Sequence, residues 1–179
     1  MKLLRTIRLD PSDTFVFERA ADAGEWAVSG AFMFAHADPD ALDGKSRAAF
    51  RGGFLGVASL GWSTLVQIVE ASEADRDALV GALGRQLHER LGAPDVAAAR
   101  GAAEEEVAFA ASLCDRPRDT LIAVRRTFED GAIREAFRTL HPRGTRKPMR
   151  AFSFVEVENE EEAHEDVNLL ALARHKQTD

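Results

Sequence analysis

The chain has 179 residues, of which 45% are hydrophobic and 30% are charged, and its formal net charge is −7. This composition is typical of a globular domain with its own core. No apolar run reaches the roughly 20 residues that cross a bilayer. The negative charge disfavours nucleic-acid binding by the whole surface. The first residues lack a signal-peptide pattern, so we expect a cytoplasmic protein.

The first third of the chain predicts strands at residues 3–9, 14–18 and 26–35. Turn-forming residues at 10–13 separate the first two strands. Phe15 and Phe17 are two residues apart, as are Phe32 and Phe34, so each pair would share one strand face. The favoured interpretation is core packing. The alternatives are a stacking platform for bases, for which few cations are nearby, or a ligand pocket shared with Trp26 and Trp62.

A loop after the third strand carries His36, Asp38 and Asp40, whose side chains are of types that bind metals. A turn leading into a helix explains the same residues more simply, so we assign no metal site and expect no cofactor. A helix is predicted at 45–59, with Gly52, Gly53 and Gly56 on its surface. Because glycine destabilises a helix interior, these glycines indicate close approach of another backbone or of a partner helix. The alternative is a glycine-rich loop around a ligand.

The middle of the chain predicts a buried strand at 62–69 and then two helices. The first begins at Ser72 with a variant of the capping box and runs to Leu91. The second spans 95–114, and we expect the two to form an αα-hairpin. Its glutamates at 104–106 are interpreted as a solvated charge run, and Cys114 as a small buried hydrophobic residue. As the only cysteine, Cys114 excludes an internal disulfide.

Residues 120–140 predict a β-hairpin whose two-residue turn is Asp130–Gly131. In that register Arg126 faces Glu135, and the apolar pairs Phe128 with Ile133 and Val124 with Phe137 are also formed. The alternative is a helix from residue 132, since Ile133, Phe137 and Leu140 also fit helical spacing.

The C-terminal part predicts a basic Pro/Gly linker at 142–151, a strand at 152–158 and a helix at 159–174. Strands therefore cluster early and late, with helices between them. The predicted fold is a single α+β domain over residues 1–179. Its mainly antiparallel sheet would be packed by the αα-hairpin and the C-terminal helix.

The hairpin register also brings Arg125, Arg134 and Arg138 together on one face. Residues 125–150 contain eight basic and three acidic residues, a local charge of +5, whereas residues 156–166 contain seven acidic residues and no Lys or Arg. Such opposed segments tend to meet, within one chain or across a dimer, and this is the favoured interpretation. A bound anion, a nucleic-acid phosphate and a merely solvated surface are the alternatives.

Three runs of residues resemble those of a small bacterial family of unknown function: Leu3–Asp10, Gly61–Val66 and Arg125–Gly131. The resemblance covers most of the chain, but these motifs are structural and transfer no active site. It implies association with accessory proteins of molybdenum-containing oxidoreductases.

The chain contains no G-x-S-x-G, H-E-x-x-H, cysteine pair or complete phosphate loop. We therefore expect a non-catalytic accessory or interaction protein that forms a homo-oligomer and has a protein partner, without membrane or nucleic-acid binding. The alternative is a small-molecule or cofactor-binding domain with an aromatic-lined pocket, which would include an enzyme of unassigned reaction.

Overall fold

The computed structural model describes residues 1–38 and 40–140, and the backbone of residues 141–142 and 155–158. Within these residues the chain forms an eight-stranded sheet in the order β4-β3-β2-β1-β5-β6-β7-β8, with every pair of neighbours antiparallel. The strands are β1 Lys2–Ile7, β2 Trp26–Val28, β3 Phe54–Gly56, β4 Trp62–Ser63, β5 Leu65–Glu70, β6 Leu121–Glu129, β7 Ala132–Pro142 and β8 Val155–Glu158. The helices are α1 Asp13–Val16, α2 Gly44–Gly52, α3 Glu73–Arg90 and α4 Val96–Ser112, and a 3-10 helix spans Ala31–Phe34. The predicted α+β class with an antiparallel sheet is confirmed.

The sheet curls strongly around the hydrophobic core. Phe54 on β3 and Phe137 on β7 lie near opposite ends of the strand order, yet their ring centroids are 6.2 Å apart. Phe109 of α4 packs edge-on against the same Phe137 ring, at 5.8 Å. The inner face of the curled sheet and helix α4 therefore enclose one continuous hydrophobic core.

Helix α3 forms as its sequence predicts. The Ser72 side chain accepts a hydrogen bond from the Asp75 N–H, and the Asp75 carboxylate accepts one from the Ser72 N–H, which completes the capping box. Leu79, Leu83 and Leu87 are buried on one side of the helix. Among the described residues no helix is long and apolar enough to span a bilayer.

Helix α4 begins after Asp95, whose carboxylate accepts from the Ala98 N–H at 2.8 Å. Its buried stripe contains small side chains such as Ala99 and Ala103, which let the helix approach its neighbours closely. Gly84 of α3 faces the backbone of Arg100, so these two helices pack tightly. Cys114 is buried, as predicted, but it lies just beyond the end of α4 and not within the helix. Burial raises the pKa of its thiol to about 11.

The predicted strand at 14–18 is wrong: Asp13–Val16 is the short helix α1. Its position is held by a long-range contact, because the buried Asp13 carboxylate accepts hydrogen bonds from the backbone and hydroxyl of Thr64. As a result Phe15 is 74% exposed while Phe17 is buried, and the two do not share a face.

The predicted strand at 26–35 is correct only for its first residues, since β2 ends at Val28. Gly30 then adopts a left-handed conformation with φ 81°, and the 3-10 helix follows. A Cβ at Gly30 would lie 2.6 Å from the Cβ of Leu55, so only glycine fits this crossing of β3.

The predicted helix at 45–59 is also wrong in its second half. Helix α2 ends at Gly52, and Phe54–Gly56 joins the sheet between β2 and β4. Residues 54–56 are a strand because they form hydrogen bonds with two neighbouring strands, although the spacing of their apolar residues is helical. That spacing is a local pattern and contains no information about distant strand partners.

The hairpin over β6 and β7 is confirmed in the predicted register, with Arg126 opposite Glu135 and Phe128 opposite Ile133. Asp130 and Gly131 have φ values of 52° and 77°, as a type I′ turn requires. Strand β8 falls within the predicted 152–158 strand and pairs with the end of β7. The linker beyond Pro142 and the helix predicted at 159–174 lie outside the described residues.

Candidate functional site

Arg126 is the largest fully buried side chain among the described residues, with 1% of its surface exposed. Its Nε donates to the Glu135 carboxylate at 2.7 Å. Nη1 donates to the carbonyls of Phe50 and Gly53, and Nη2 donates to the carbonyl and hydroxyl oxygens of Ser29. Five contacts match the five N–H donors of a guanidinium, so no donor is left for a ligand.

These contacts join four separate parts of the fold. The Phe50 and Gly53 carbonyls lie at the C-terminus of α2, where helix carbonyls lack intrahelical partners. Ser29 follows β2, and Glu135 belongs to β7. Arg126 therefore caps α2 and fixes its end against β2, β6 and β7. Such charge-assisted hydrogen bonds are the stronger kind in proteins.

Glu106 of α4 adds a second carboxyl group to this buried centre. The pKa of Glu106 is raised from 4.5 to about 7. Burial is the largest cause, and repulsion from the nearby Glu135 carboxylate is the second. Arg126 and the backbone N–H of Gly30 act in the opposite direction. The Oε2 atom of Glu106 is buried without a hydrogen-bond partner among the described residues. The centre thus holds a carboxyl group that exchanges its proton near neutral pH.

The sequence interpretation missed Glu106, because it treated residues 104–106 as a solvated run. The signal was present in the spacing: Glu106 lies three residues after Ala103 and four before Ala110, both on the buried stripe. The Arg126–Glu135 pair was predicted from the hairpin register, but its burial was not. Arg126 alternates with the inward-facing Ile122 and Val124, which indicates the same face.

The opposite face of the hairpin carries the predicted arginine cluster. Arg125 lies opposite Ala136, and Arg134 and Arg138 lie two residues to either side of Ala136 on β7. All three arginines are exposed, and we call this surface the arginine face. Within the described part of the chain, no ion pair involves any of them. The acidic segment 156–166 is described only as the backbone of β8.

Two clefts open near these strands. One, of about 200 Å³, lies between the end of α2 and β6 and is lined by Arg51, Arg125, Arg126 and Thr127. The other, of about 230 Å³, lies between the end of α4 and strands β6 and β7. Its lining consists of Ser112, Leu113, Asp115, Arg116, Ile122, Phe137 and Thr139.

The three glycines predicted as an interface do not share a helix face. Gly52 is the last residue of α2, Gly53 is its C-cap and Gly56 is on β3. The nearest neighbours of Gly53 and Gly56 are side chains of the same chain and not another backbone or helix: a Cβ at Gly53 would lie 2.8 Å from the Trp62 ring, and one at Gly56 would lie 2.5 Å from the Glu25 carboxyl group. Their role in a contact between chains stays a prediction.

The aromatic residues proposed for a pocket pack mainly against other parts of the chain. Trp62 stacks on Phe34 at a centroid distance of 5.2 Å, and Phe34 contacts Phe50 edge-on. The Arg5 guanidinium lies 3.9 Å from the centre of the Trp26 ring. Neither of the two clefts described above is lined by a tryptophan.

The loop residues His36, Asp38 and Asp40 are exposed. Asp38 Oδ1 accepts a hydrogen bond from the Asp40 N–H at 3.0 Å, as in an ordinary turn. Within the described ranges, no group of three His, Cys, Asp or Glu side chains is arranged to hold a metal ion.

The chain belongs to a family of unknown function, DUF6505, whose model matches residues 1–156. The matched residues include the three runs that carry the resemblance and both strands of the β6–β7 hairpin. No curated protein and no solved structure matches the chain. A functional interpretation therefore depends on the geometry described above.

Replacing Arg126 by lysine keeps the charge but removes the fork of donors, so several buried oxygens lose their partners. We expect Arg126→Lys to lower the free energy of unfolding by at least about 2 kcal/mol, measured by urea denaturation. The matched control is Arg125→Lys on the exposed face, which should change stability by less than about 0.5 kcal/mol. Equal effects of the two variants would contradict the structural role of Arg126.

The raised pKa of Glu106 makes stability depend on pH. Between about 4.5 and about 7 the folded state binds this proton more tightly than the unfolded state, so the contribution of Glu106 to stability decreases as pH rises. Above that range ionised Glu106 destabilises the fold by roughly 3 kcal/mol at most. Glu106→Gln should therefore be more stable than wild type at pH 8, with a smaller difference at pH 5.

The measurement is urea denaturation at both pH values, with Glu105→Gln on the exposed side of α4 as the control. That control removes the same charge from the same helix. If Glu105→Gln reproduced the pH-dependent difference, net charge and not the buried position of Glu106 would be responsible.

Proposed function

We propose that this protein is a non-catalytic interaction protein that acts as a homo-oligomer and binds an acidic protein segment on its arginine face. The observation that carries the proposal is the arrangement of Arg125, Arg134 and Arg138 on one exposed face of a well-formed hairpin. Guanidinium groups recognise carboxylates by paired, charge-assisted hydrogen bonds. The type I′ turn and the long β6–β7 pairing set the backbone positions from which these side chains project.

The acidic segment at residues 156–166 supplies a partner of suitable charge, within the same chain or from a second copy. Exposed ion pairs contribute only up to about 1 kcal/mol each. Contacts on the arginine face would therefore determine orientation and choice of partner more than stability. The net charge of −7 favours such a protein contact over a nucleic acid, whose phosphates the rest of the surface would repel.

An accessory role fits the absence of a catalytic motif in the sequence. Arg126 supports the same view, because all its donors are used within the fold. The resemblance noted above further suggests an enzyme that such a protein would assist, a molybdenum-containing oxidoreductase. In that arrangement the metal belongs to the partner enzyme.

Reversing the charge of the arginine face should disrupt this contact. We expect Arg134→Glu with Arg138→Glu to weaken self-association or partner co-purification, and the difference from wild type should shrink as salt rises. Sedimentation velocity at several salt concentrations measures self-association, and purification from the native host measures partner binding.

The matched control is Arg85→Glu with Arg118→Glu, which changes the net charge equally at exposed positions away from the arginine face. A monomer at every accessible concentration for the wild type would contradict oligomerisation. Tight, salt-sensitive binding of single-stranded nucleic acid, lost only in the arginine-face variant, would replace the protein partner by a nucleic acid.

A second candidate function, small-molecule binding, is favoured by the cleft at the end of α4. This cleft combines the aromatic ring of Phe137 with polar groups from Ser112, Thr139, Asp115 and Arg116. At about 230 Å³ it is below the roughly 300 Å³ at which typical ligand pockets begin, so it fits a small metabolite or one part of a larger ligand.

Thermal unfolding across a panel of metabolites and metal salts tests this candidate, because a ligand that binds the folded state raises the melting temperature. We expect any such shift to be reduced by Thr139→Val within the cleft and unchanged by Thr14→Val on α1. A panel without any shift would count against a ligand-binding function.

A further inference from the structure

The cleft between α2 and β6 forms because two elements cover different parts of one strand. Strand β5 pairs with β6 only at Leu121 and Ile122. Helix α2 packs beside the part of β6 that follows, and a Cβ at Gly52 would lie 3.7 Å from the Val124 carbonyl oxygen. The end of α2 and residues 125–127 of β6 therefore line the cleft together.

The C-terminus of a helix normally repels anions, because its unpaired carbonyls carry partial negative charge. Here the buried guanidinium of Arg126 covers the carbonyls of Phe50 and Gly53. Arg51, in the last turn of α2, adds a positive charge at the same end. Since Arg126 is itself paired with Glu135, the net positive charge at this helix end comes from Arg51.

The strand side of the cleft is also positively charged. Arg125 lines it, and Arg134 lies directly opposite Thr127 on the neighbouring strand. Two acidic residues are close by: Glu135, which is paired with Arg126, and Glu129, whose carboxylate accepts a hydrogen bond from the Thr127 hydroxyl at 2.8 Å. Counted against Glu129 and Glu135, the four arginines at positions 51, 125, 126 and 134 leave a net charge of +2 around the cleft.

Size and donor availability indicate what the cleft can bind. Its volume of about 200 Å³ suits a single charged group and not a complete dinucleotide cofactor. Arg126 has no donor free, so binding falls to the exposed Arg51 and Arg125. Guanidinium groups match the geometry of phosphate oxygens, and no main-chain phosphate loop is needed.

We propose that this cleft is a binding site for a phosphate group of a small molecule, held by Arg51 and Arg125 with Arg134 at its rim. The site shares Arg125 with the arginine face but depends on Arg51, which the proposed protein contact does not use. Failure of one proposal is therefore distinguishable from failure of the other.

The test is a titration of the full-length protein with inorganic phosphate, followed by amide NMR at constant ionic strength. We expect saturable shifts at residues 51 and 125–127. Arg51→Gln and Arg125→Gln should each weaken binding by roughly tenfold, as expected for the loss of one charge-assisted contact. Glu129→Gln should strengthen binding, because it removes the acidic group beside Thr127.

Arg118→Gln, an exposed arginine on another part of the surface, is the matched control and should leave phosphate binding unchanged. Shifts of equal size with chloride at the same ionic strength would overturn the proposal, as would unchanged binding in Arg51→Gln. Since Arg51 is exposed, this variant is expected to fold, and its amide spectrum in the absence of phosphate verifies that directly.

Discussion

The buried guanidinium of Arg126 is the interaction on which the arrangement of this fold depends. A strand side chain that points inward is normally apolar, and burying a charge is unfavourable unless its hydrogen bonds are completed. Arg126 satisfies that condition with contacts from segments far apart in the chain. The complete set of contacts forms only when α2, β2 and β7 are all in place. An arrangement that omits one of them would leave part of the buried guanidinium without hydrogen-bond partners, which is unfavourable.

The same buried centre also contains an unfavourable group, the carboxyl group of Glu106. Arg126 is paired with Glu135, and a second nearby carboxylate gains less from the same positive charge. Burial disfavours ionised Glu106, as does its repulsion from Glu135. The outcome is a group poised between its charged and neutral forms near physiological pH. Because its pKa is raised in the folded state, the stability of the fold depends on whether Glu106 carries its proton.

Sequence patterns were sufficient where the determining contacts are local. The capping box at Ser72 and Asp75, and the turn at Asp130 and Gly131, involve residues within three positions of each other.

The errors in the predicted elements occur where a contact with a residue distant in the sequence determines the structure. Asp13 is held by Thr64, and Phe54 joins strands on both sides. Gly30 is shaped by its crossing of β3. Local periodicity has no information about such partners, so α1, the 3-10 helix and β3 could not be read from it.

The same reasoning explains why the two halves of the candidate site differed in predictability. Arg125 and Arg126 are adjacent and chemically identical, yet strand alternation sends one outward and the other into the core. The outward group followed from the hairpin register alone, because solvent requires no further partners. The inward group requires carbonyls from the end of α2 and the segment after β2, where the predicted helix 45–59 and the predicted strand 26–35 both extended too far. A hairpin that anchors itself through Arg126 presents Arg125 at a fixed position. The contacts of the buried arginine thus fix the backbone from which the exposed one projects.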